Sequence, residues 1–364
     1  MKIGIIGAGQ LGRMLALAGY PLGLRFVFLD KTPEAPGGQV GQIIEGEFDD
    51  PAALARLAEL TDVVTFDVEN VPEAAVREIA EKVQFLPPVG ALATAQDRLS
   101  EKRTFSALHI PTPRFLPVAT REALELAVTQ LGFPSVLKTR RMGYDGRGQR
   151  FLKGPEDVDD SWEALGRMPM ILEAFVEFDT ELSIIGVRRP SGDIRFYPLA
   201  ENIHEEGILS YTRAPYVDGP LQDTAERYSR RLMEHLDYAG VLTIEFFVEG
   251  DQLLANEIAP RVHNSGHWTI EGAVTSQFEN HIRAILDLPL GETRCNGHSA
   301  MVNLLGEMPE LTDVLSLAGA HVHDYGKEPR PNRKLGHCTL VAPDSDERDR
   351  ALSRLLELAG RSLR

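Results

Sequence analysis

Along the first segment the apolar positions alternate between two spacings. KIGIIG, RFVFLD and DVVTFD are short apolar runs, whereas QLGRMLALAGYPLG and DDPAALARLAEL carry their apolar residues at helical intervals. Strand, helix and strand in turn predict a parallel sheet with crossover helices. Near residue 90 the character changes. FLPPVGALATAQDRLSEKRTFSALHIPTPRFLPV has prolines at both ends and a polar helical stretch between them, which reads as a linker and a new start. Thr120 can cap a helix to about Leu131, Gly132 ends it, and Pro134 leads into the short strand SVLKT. MILEAFVEFDTELSIIGV holds two strand-like runs, and strand, loop and helix continue to about residue 239. Apolar runs at 241–248 and 253–258 flank Glu249-Gly250-Asp251-Gln252, which predicts a hairpin. AMVNLLG, KLGHCTLVAP and a helix at about 346–359 follow.

Composition narrows the field. A chain of 364 residues with 43% hydrophobic content is globular and long enough for two or three domains. A formal net charge of -16 argues against a nucleic-acid partner but leaves room for a local basic pocket for a small phosphate. With only Cys295 and Cys338, a disulfide framework is not expected and a reducing compartment is. No apolar run preceding a small-residue cleavage site follows Lys2, and no run of about 20 apolar residues occurs, so no membrane partner is expected. The chain reads as soluble and cytoplasmic.

Five tracts carry candidate chemistry. Gly7-Ala8-Gly9-Gln10-Leu11-Gly12, with Asp30 closing the next apolar run, fits the dinucleotide fingerprint; a cofactor site and a structural turn both leave this pattern. SVLKT delivers Lys138 to RRMGYDGRGQR, whose glycines at 143, 146 and 148 let the backbone close over phosphates while Arg140, Arg141 and Arg147 supply charge. A surface hairpin is the alternative, and no G-K-[ST] makes it a Walker loop. In the hairpin, Glu245 and Glu257 lie symmetrically about Asp251, so antiparallel pairing sets two carboxylates face to face. Like charges so placed call for a cation, and hard oxygen ligands point to magnesium with a nucleotide's phosphates. Solvated acids on an edge strand are the alternative. Arg261-Val262-His263-Asn264-Ser265-Gly266-His267 follows directly, suited to an anion or a third metal ligand. Late in the chain Lys327, Arg330, Arg333 and Lys334 form a basic island that fits a phosphate monoester or is merely solvated.

The order of Lys138 on a strand, a glycine-rich loop, EAFV and the acidic hairpin resembles the ATP-grasp superfamily. Within it GQLGRM, DRLSEK, GYDGRGQ, EAFV, NEIAPRVHNSGHW and GKEPRPNRKLGH resemble, in order, the N5-carboxyaminoimidazole ribonucleotide synthase family of purine biosynthesis. Ala8 stands where that family often has a further glycine. The resemblance implies a mixed α/β chain: a Rossmann-like N-terminal domain with a parallel sheet (1–95), a central ATP-grasp domain (96–292) and a small β-rich C-terminal domain (293–364). It also implies a homodimer.

Site residues carry over by position. Arg98, Lys138, the loop Gly143-Tyr144-Asp145-Gly146-Arg147-Gly148-Gln149, Glu173-Ala174-Phe175-Val176, Glu181, His204, Asn256 and Glu257 match the ATP-contacting positions. Residues 173–176 are the adenine hinge, Glu181 meets the ribose, and Glu245 with Glu257 holds Mg2+. The implied substrate, 5-aminoimidazole ribonucleotide, lies across Gln10 and Leu11, Tyr144, Asp145 and Arg147, with Lys327 and Arg333 on its phosphate. Bicarbonate attacks ATP to give carboxyphosphate, with Arg261, His263 and Asn264 around it, Arg147 in the lid and Asp145 accepting the amine proton. Three other readings stand beside this one: a formate-dependent glycinamide ribonucleotide transformylase, a nicotinamide dehydrogenase resting on Gly7–Gly12 and Asp30, and a non-catalytic nucleotide sensor.

Overall fold

The computed structural model describes residues 1–143 and 146–363, and its strands form three sheets. The first is parallel. β1 (Lys2–Ile6), β2 (Arg25–Asp30), β3 (Gln42–Glu45), β4 (Val63–Phe66) and β5 (Gln84–Phe85) lie in the order β3-β2-β1-β4-β5. Helix Gln10–Gly19 springs directly from the glycine turn after β1 and buries Leu11, Met14 and Leu15. Helix Pro51–Leu60 starts with proline at its first position, and Asp50 accepts from the Ala52 and Ala53 N–H groups.

The second sheet is antiparallel. β6 (Phe115–Val118), β7 (Ser135–Thr139), β8 (Gln149–Leu152) and β9 (Met170–Ala174) are ordered β6-β9-β7-β8. Helices Arg121–Leu131 and Asp157–Ala164 pack on it through Leu124, Val158 and Trp162, giving this unit a core of its own. Thr120 caps the first of these helices through Ala123 N–H, and Gly132 ends it at φ 81°.

The third sheet is the largest. It holds β10 (Thr180–Arg188), β11 (Ile194–Phe196), β12 (Ala200–Glu205), β13 (Ile208–Ala214), β14 (Gly240–Glu249), β15 (Gln252–Ala259), β16 (His298–Leu305), β17 (Ala320–Asp324) and β18 (Lys334–Ala342). The order is β15-β14-β10-β12-β13-β16-β18-β17, with β11 on β10. The C-terminal strands therefore continue the central sheet, β16 pairing with β13 through Tyr211 and Val302.

Two details differ from the pattern in the sequence. Residues 194–214 hold three strands where a strand and a loop are expected, because AENIHE and ILSYTRA mix polar residues into the pleat and give no apolar run. The hairpin turn is tighter than the tetrapeptide: Glu249 pairs with Gln252, leaving Gly250-Asp251 as a two-residue loop with Gly250 at φ 58°.

The first and third sheets share a core. Helix Gln10–Gly19 packs on helix Gln277–Ile285, so Ile3, Met14 and Leu15 join Val187, Trp268 and Ile282. His281 is a buried strut between the sheets: Val241 N–H donates to its Nδ1 at 3.1 Å, and its Nε2 meets Thr65 Oγ1 at 3.0 Å. Burial pushes its pKa down to about 3, so the strut is neutral. Among the described residues no helix is long and apolar enough to cross a membrane.

Candidate functional site

A cavity of about 640 Å³ opens where the three sheets meet. One end is apolar, walled by Val136 of β7, Ala174 of β9, the following Phe175 and Val176, and the stacked rings of Phe178 and Phe247 with centroids 4.7 Å apart. Such a slot suits a planar base. At its edge Glu181 Oε2 lies 3.2 Å from His204 Nδ1. Burial opposes charge on His204, but Glu181 and then Glu245 outweigh it and raise its pKa to about 9. The imidazole is cationic at neutral pH.

The middle of the cavity is ionic. Lys138 Nζ donates to Glu173 Oε2 at 2.9 Å, and fully buried Lys102 lies 3.6 Å from the same oxygen. Burial works against the Glu173 carboxylate, yet Lys102 and Lys138 hold its pKa down to about 2. Glu245 and Glu257 face each other across β14 and β15, as their symmetry in the sequence predicts, and Ile244, Phe246 and Ile258 beside them are buried. Burial, with Glu257 and Glu181 adding to it against His204, pushes Glu245 up to about 7. Glu257 is held low despite its burial by Arg98, whose Nη1 donates to Glu257 Oε2 at 3.1 Å, and by Lys138. Asn256 also lines the cavity, and its Oδ1 is buried with no hydrogen-bond partner among the described residues. Two crowded carboxylates and an idle amide oxygen fit a hard divalent cation. Among the described residues no group of three or more His, Cys, Asp or Glu that could hold a metal ion is found.

The far end is built on the glycine turn. Two of its N–H groups are engaged: Ala8 N–H donates to Asp30 Oδ2 at 2.8 Å and Gly12 N–H to Asp67 Oδ2 at 3.0 Å. The Ala8 and Gly12 amides are therefore not free for an anion, while Gln10 and Leu11 line the cavity. Asp30 is spent on the turn, where a dehydrogenase needs it on a ribose. Gly7 sits at φ 93°, and a Cβ there would come within 1.8 Å of Asp67 Oδ1, so only glycine fits. Burial raises Asp67 to about 6. Gln10 accepts from Lys327 Nζ, and Lys327 is brought down to about 8 by burial and then by Arg333.

Opposite stands the tract after the hairpin. Arg261 Nε lies 2.9 Å from Glu69 Oε1. Ser265 N–H donates to His263 Nδ1, which leaves the ring hydrogen on Nε2, 3.7 Å from Glu245 Oε1. Burial, then Arg261, holds His263 well below its ordinary pKa and therefore neutral. Asn264 and Asn303 exchange reciprocal amide hydrogen bonds of 3.0 and 2.8 Å, which fixes the Asn264 side chain.

One cavity wall thus gathers Gln10, Leu11, Arg98, Lys138, Gly143, Gly146, Gln149, residues 173–176, Glu181, His204, Glu245, Asn256, Glu257, Arg261, His263, Asn264 and Lys327. Arg147 is exposed, and Arg147 and Gly148 stand off the wall. Tyr144 and Asp145 lie outside the described residues. Arg333 also stands off the wall: its Nη1 donates to the Glu328 carbonyl at 2.9 Å, and Lys334, next along at the start of β18, lines the cavity instead. Sequence reasoning also missed Asp67, Glu69 and Lys102. The first two follow the C-terminal end of β4, where open parallel sheets bind ligands, and that position was the available signal. Lys102 ends the DRLSEK tract that carries the resemblance, but nothing in its polar helix gives that lysine a role.

This joining of an apolar slot to a lysine-carboxylate centre on two facing sheets places the chain among ATP-grasp enzymes. Residues 103–278 match the model of the ATP-grasp domain, residues 1–96 the ribonucleotide synthetase preATP-grasp domain, and residues 299–351 the phosphoribosylaminoimidazole carboxylase C-terminal domain. The N5-carboxyaminoimidazole ribonucleotide synthase of Pseudomonas aeruginosa is 49% identical over 344 residues, covering 94% of this chain and 95% of that one. The crystal structure of the synthetase from Thermus thermophilus superposes with TM-score 0.94 at 53% identity, covering 98% of each chain. That of the Aspergillus clavatus synthase, in complex with ADP and 5-aminoimidazole ribonucleotide, superposes with TM-score 0.92 at 32% identity, covering 99% of this chain and 98% of that one. The chain belongs to the N5-carboxyaminoimidazole ribonucleotide synthase family, ATP-dependent ligases of purine biosynthesis.

Proposed function

We propose that the chain carboxylates 5-aminoimidazole ribonucleotide with ATP and bicarbonate, and that the two ends of the cavity hold the two nucleotides. Adenine lies in the slot of residues 173–176, Glu181 takes the ribose hydroxyls, and Arg98, Lys138 and the 143–149 loop take the phosphates. The monophosphate substrate lies on Gln10 and Leu11 with Lys327 on its phosphate; Arg333 joins it by moving off the Glu328 carbonyl. Bicarbonate sits between, beside Arg261, the His263 Nε2–H and Asn264. The single observation behind this reading is the continuous cavity: its lining carries the base slot, the phosphate lysine, the carboxylate pair and the glycine turn from one end to the other.

Bicarbonate attacks the γ-phosphorus of ATP and forms carboxyphosphate, ADP leaves, and carboxyphosphate yields carbon dioxide and phosphate. The amine adds to carbon dioxide and loses a proton, giving N5-carboxyaminoimidazole ribonucleotide. Phosphoryl transfer asks for alignment and charge compensation more than covalent help. Lys138 and Arg98 supply fixed positive charge, Arg261 meets the negative carboxyphosphate, and the 143–149 loop closes as a lid against water, carrying Arg147 inward. Glu245 and Glu257 would hold Mg2+, which would supply charge neutralisation to the nucleotide's phosphates. Asp145 is the proposed acceptor for the amine proton, on the family resemblance alone. The division at 1–95, 96–292 and 293–364, a homodimer and a cytoplasmic location complete the proposal.

The test is phosphate release from magnesium-ATP and bicarbonate, with and without 5-aminoimidazole ribonucleotide. Stimulation by the aminoimidazole is expected. Stimulation only by formate with glycinamide ribonucleotide would transfer the chain to the transformylase reading, and no turnover with either would return it to a sensor. In the same assay Asp145→Asn should lower aminoimidazole-dependent release by about 100-fold; full turnover would remove Asp145 from the proton step.

A further inference from the structure

Strand β15 carries one extra residue where the cation carboxylate stands. Below that point Glu249 faces Gln252, Phe247 faces Leu254 and Phe246 faces Ala255; above it Glu245 faces Glu257, so Asn256 is the bulge. In a regular strand Asn256 and Glu257, as neighbours, would point to opposite faces. Here both line the cavity with Glu245.

A bulge releases backbone groups from the ladder, and buried ones need other partners. Helix Arg98–Ala107 supplies most of them. Lys102 Nζ donates to the carbonyls of Ala255 at 3.1 Å and Asn256 at 2.7 Å, and Glu101 Oε1 accepts from Ile258 N–H at 2.6 Å. Beyond the end of the helix, the Pro111 carbonyl accepts from Ala255 N–H at 2.7 Å. Lys102 is fully buried and makes its remaining contact with Glu173, the carboxylate that also holds Lys138.

We infer that Glu101 and Lys102 are positioning residues for the cation and the phosphates: they lock the bulge that turns Asn256 and Glu257 to one face, and Lys102 ties that face to Lys138 through Glu173. The inference rests on Glu245 and Glu257 being the cation ligands. A lysine that only filled the core would cost stability when replaced and leave cation binding alone.

The probe is Mn2+, titrated by electron paramagnetic resonance into the full chain with ADP present, beside ADP binding without metal. Lys102→Met is expected to weaken Mn2+ binding by about tenfold or more, the range typical of residues that orient metal ligands, with metal-free ADP binding changed far less. Glu101→Gln keeps an oxygen for Ile258 N–H and should restore near-parental Mn2+ binding, whereas Glu101→Leu should lose it. A folded Lys102→Met chain that binds Mn2+ like the parent overturns the inference. If that variant does not fold, equal Mn2+ binding by the two Glu101 variants overturns it instead. Glu245→Gln separates the two levels: unchanged Mn2+ binding there sinks the cation site itself, while its loss alongside a retained Lys102→Met site sinks only the positioning role.

Discussion

Glu173 is a buried carboxylate kept ionised by two lysines, and only one of them, Lys138, lines the cavity. Lys138→Met therefore removes the charge offered to phosphate and leaves Lys102 to compensate Glu173. Turnover should fall about 100-fold or more while the circular dichroism spectrum is kept. His204 gives a second residue-level test. Its folded pKa of about 9 lies above the ordinary 6.5, so its pairing with Glu181 stabilises the fold fully below about pH 6.5 and is lost as pH rises through about 9. Denaturant titrations of the parent and His204→Gln should differ most near pH 6 and converge above about pH 9. At this scale the sequence was legible wherever residue type dictates chemistry: Glu245 and Glu257 face each other as their spacing implies, and Lys138 lines the same cavity. Asp67 and Lys102 were not, because what matters in them is burial against a distant backbone.

Among the elements, helix Arg98–Ala107 carries an unusual share of the site on one turn. Asp97 caps it by accepting from Leu99 and Ser100 N–H, and takes Arg140 through two hydrogen bonds of 3.0 and 2.6 Å. The Arg140 pairing outweighs the cost of burial and lowers the Asp97 pKa. Asp97→Ala should destabilise the fold by about 2 kcal/mol in chemical denaturation, roughly a lost cap plus a lost charged hydrogen bond. The helices and the Glu245 hairpin were legible because apolar spacing and turn residues are local signals. The bulge at Asn256 was not, since partners far along the chain hold it. A different limit hid β12 and β13: they pair locally across Glu206-Gly207, but the polar residues mixed into AENIHE and ILSYTRA leave no apolar run.

For the whole molecule, the parallel first sheet and the change near residue 90 were readable, but the joining of sheets was not: pairing between β13 and β16 depends on residues about ninety apart and leaves no periodic trace. The acidic chain does enclose a basic corner, with Arg261, Lys327 and Lys334 on one cavity wall, as its composition left room for. The pairing of β13 with β16 also matters while the chain is being made. A ribosome adding about 5–20 residues each second finishes β13 at Ala214 roughly 4–17 seconds before β16 begins at His298, and β18 follows later still. During that interval the edge of β13 offers unpaired amides and carbonyls to any passing strand, so the nascent protein has a built-in window of vulnerability to aggregation that closes only when its last strands arrive.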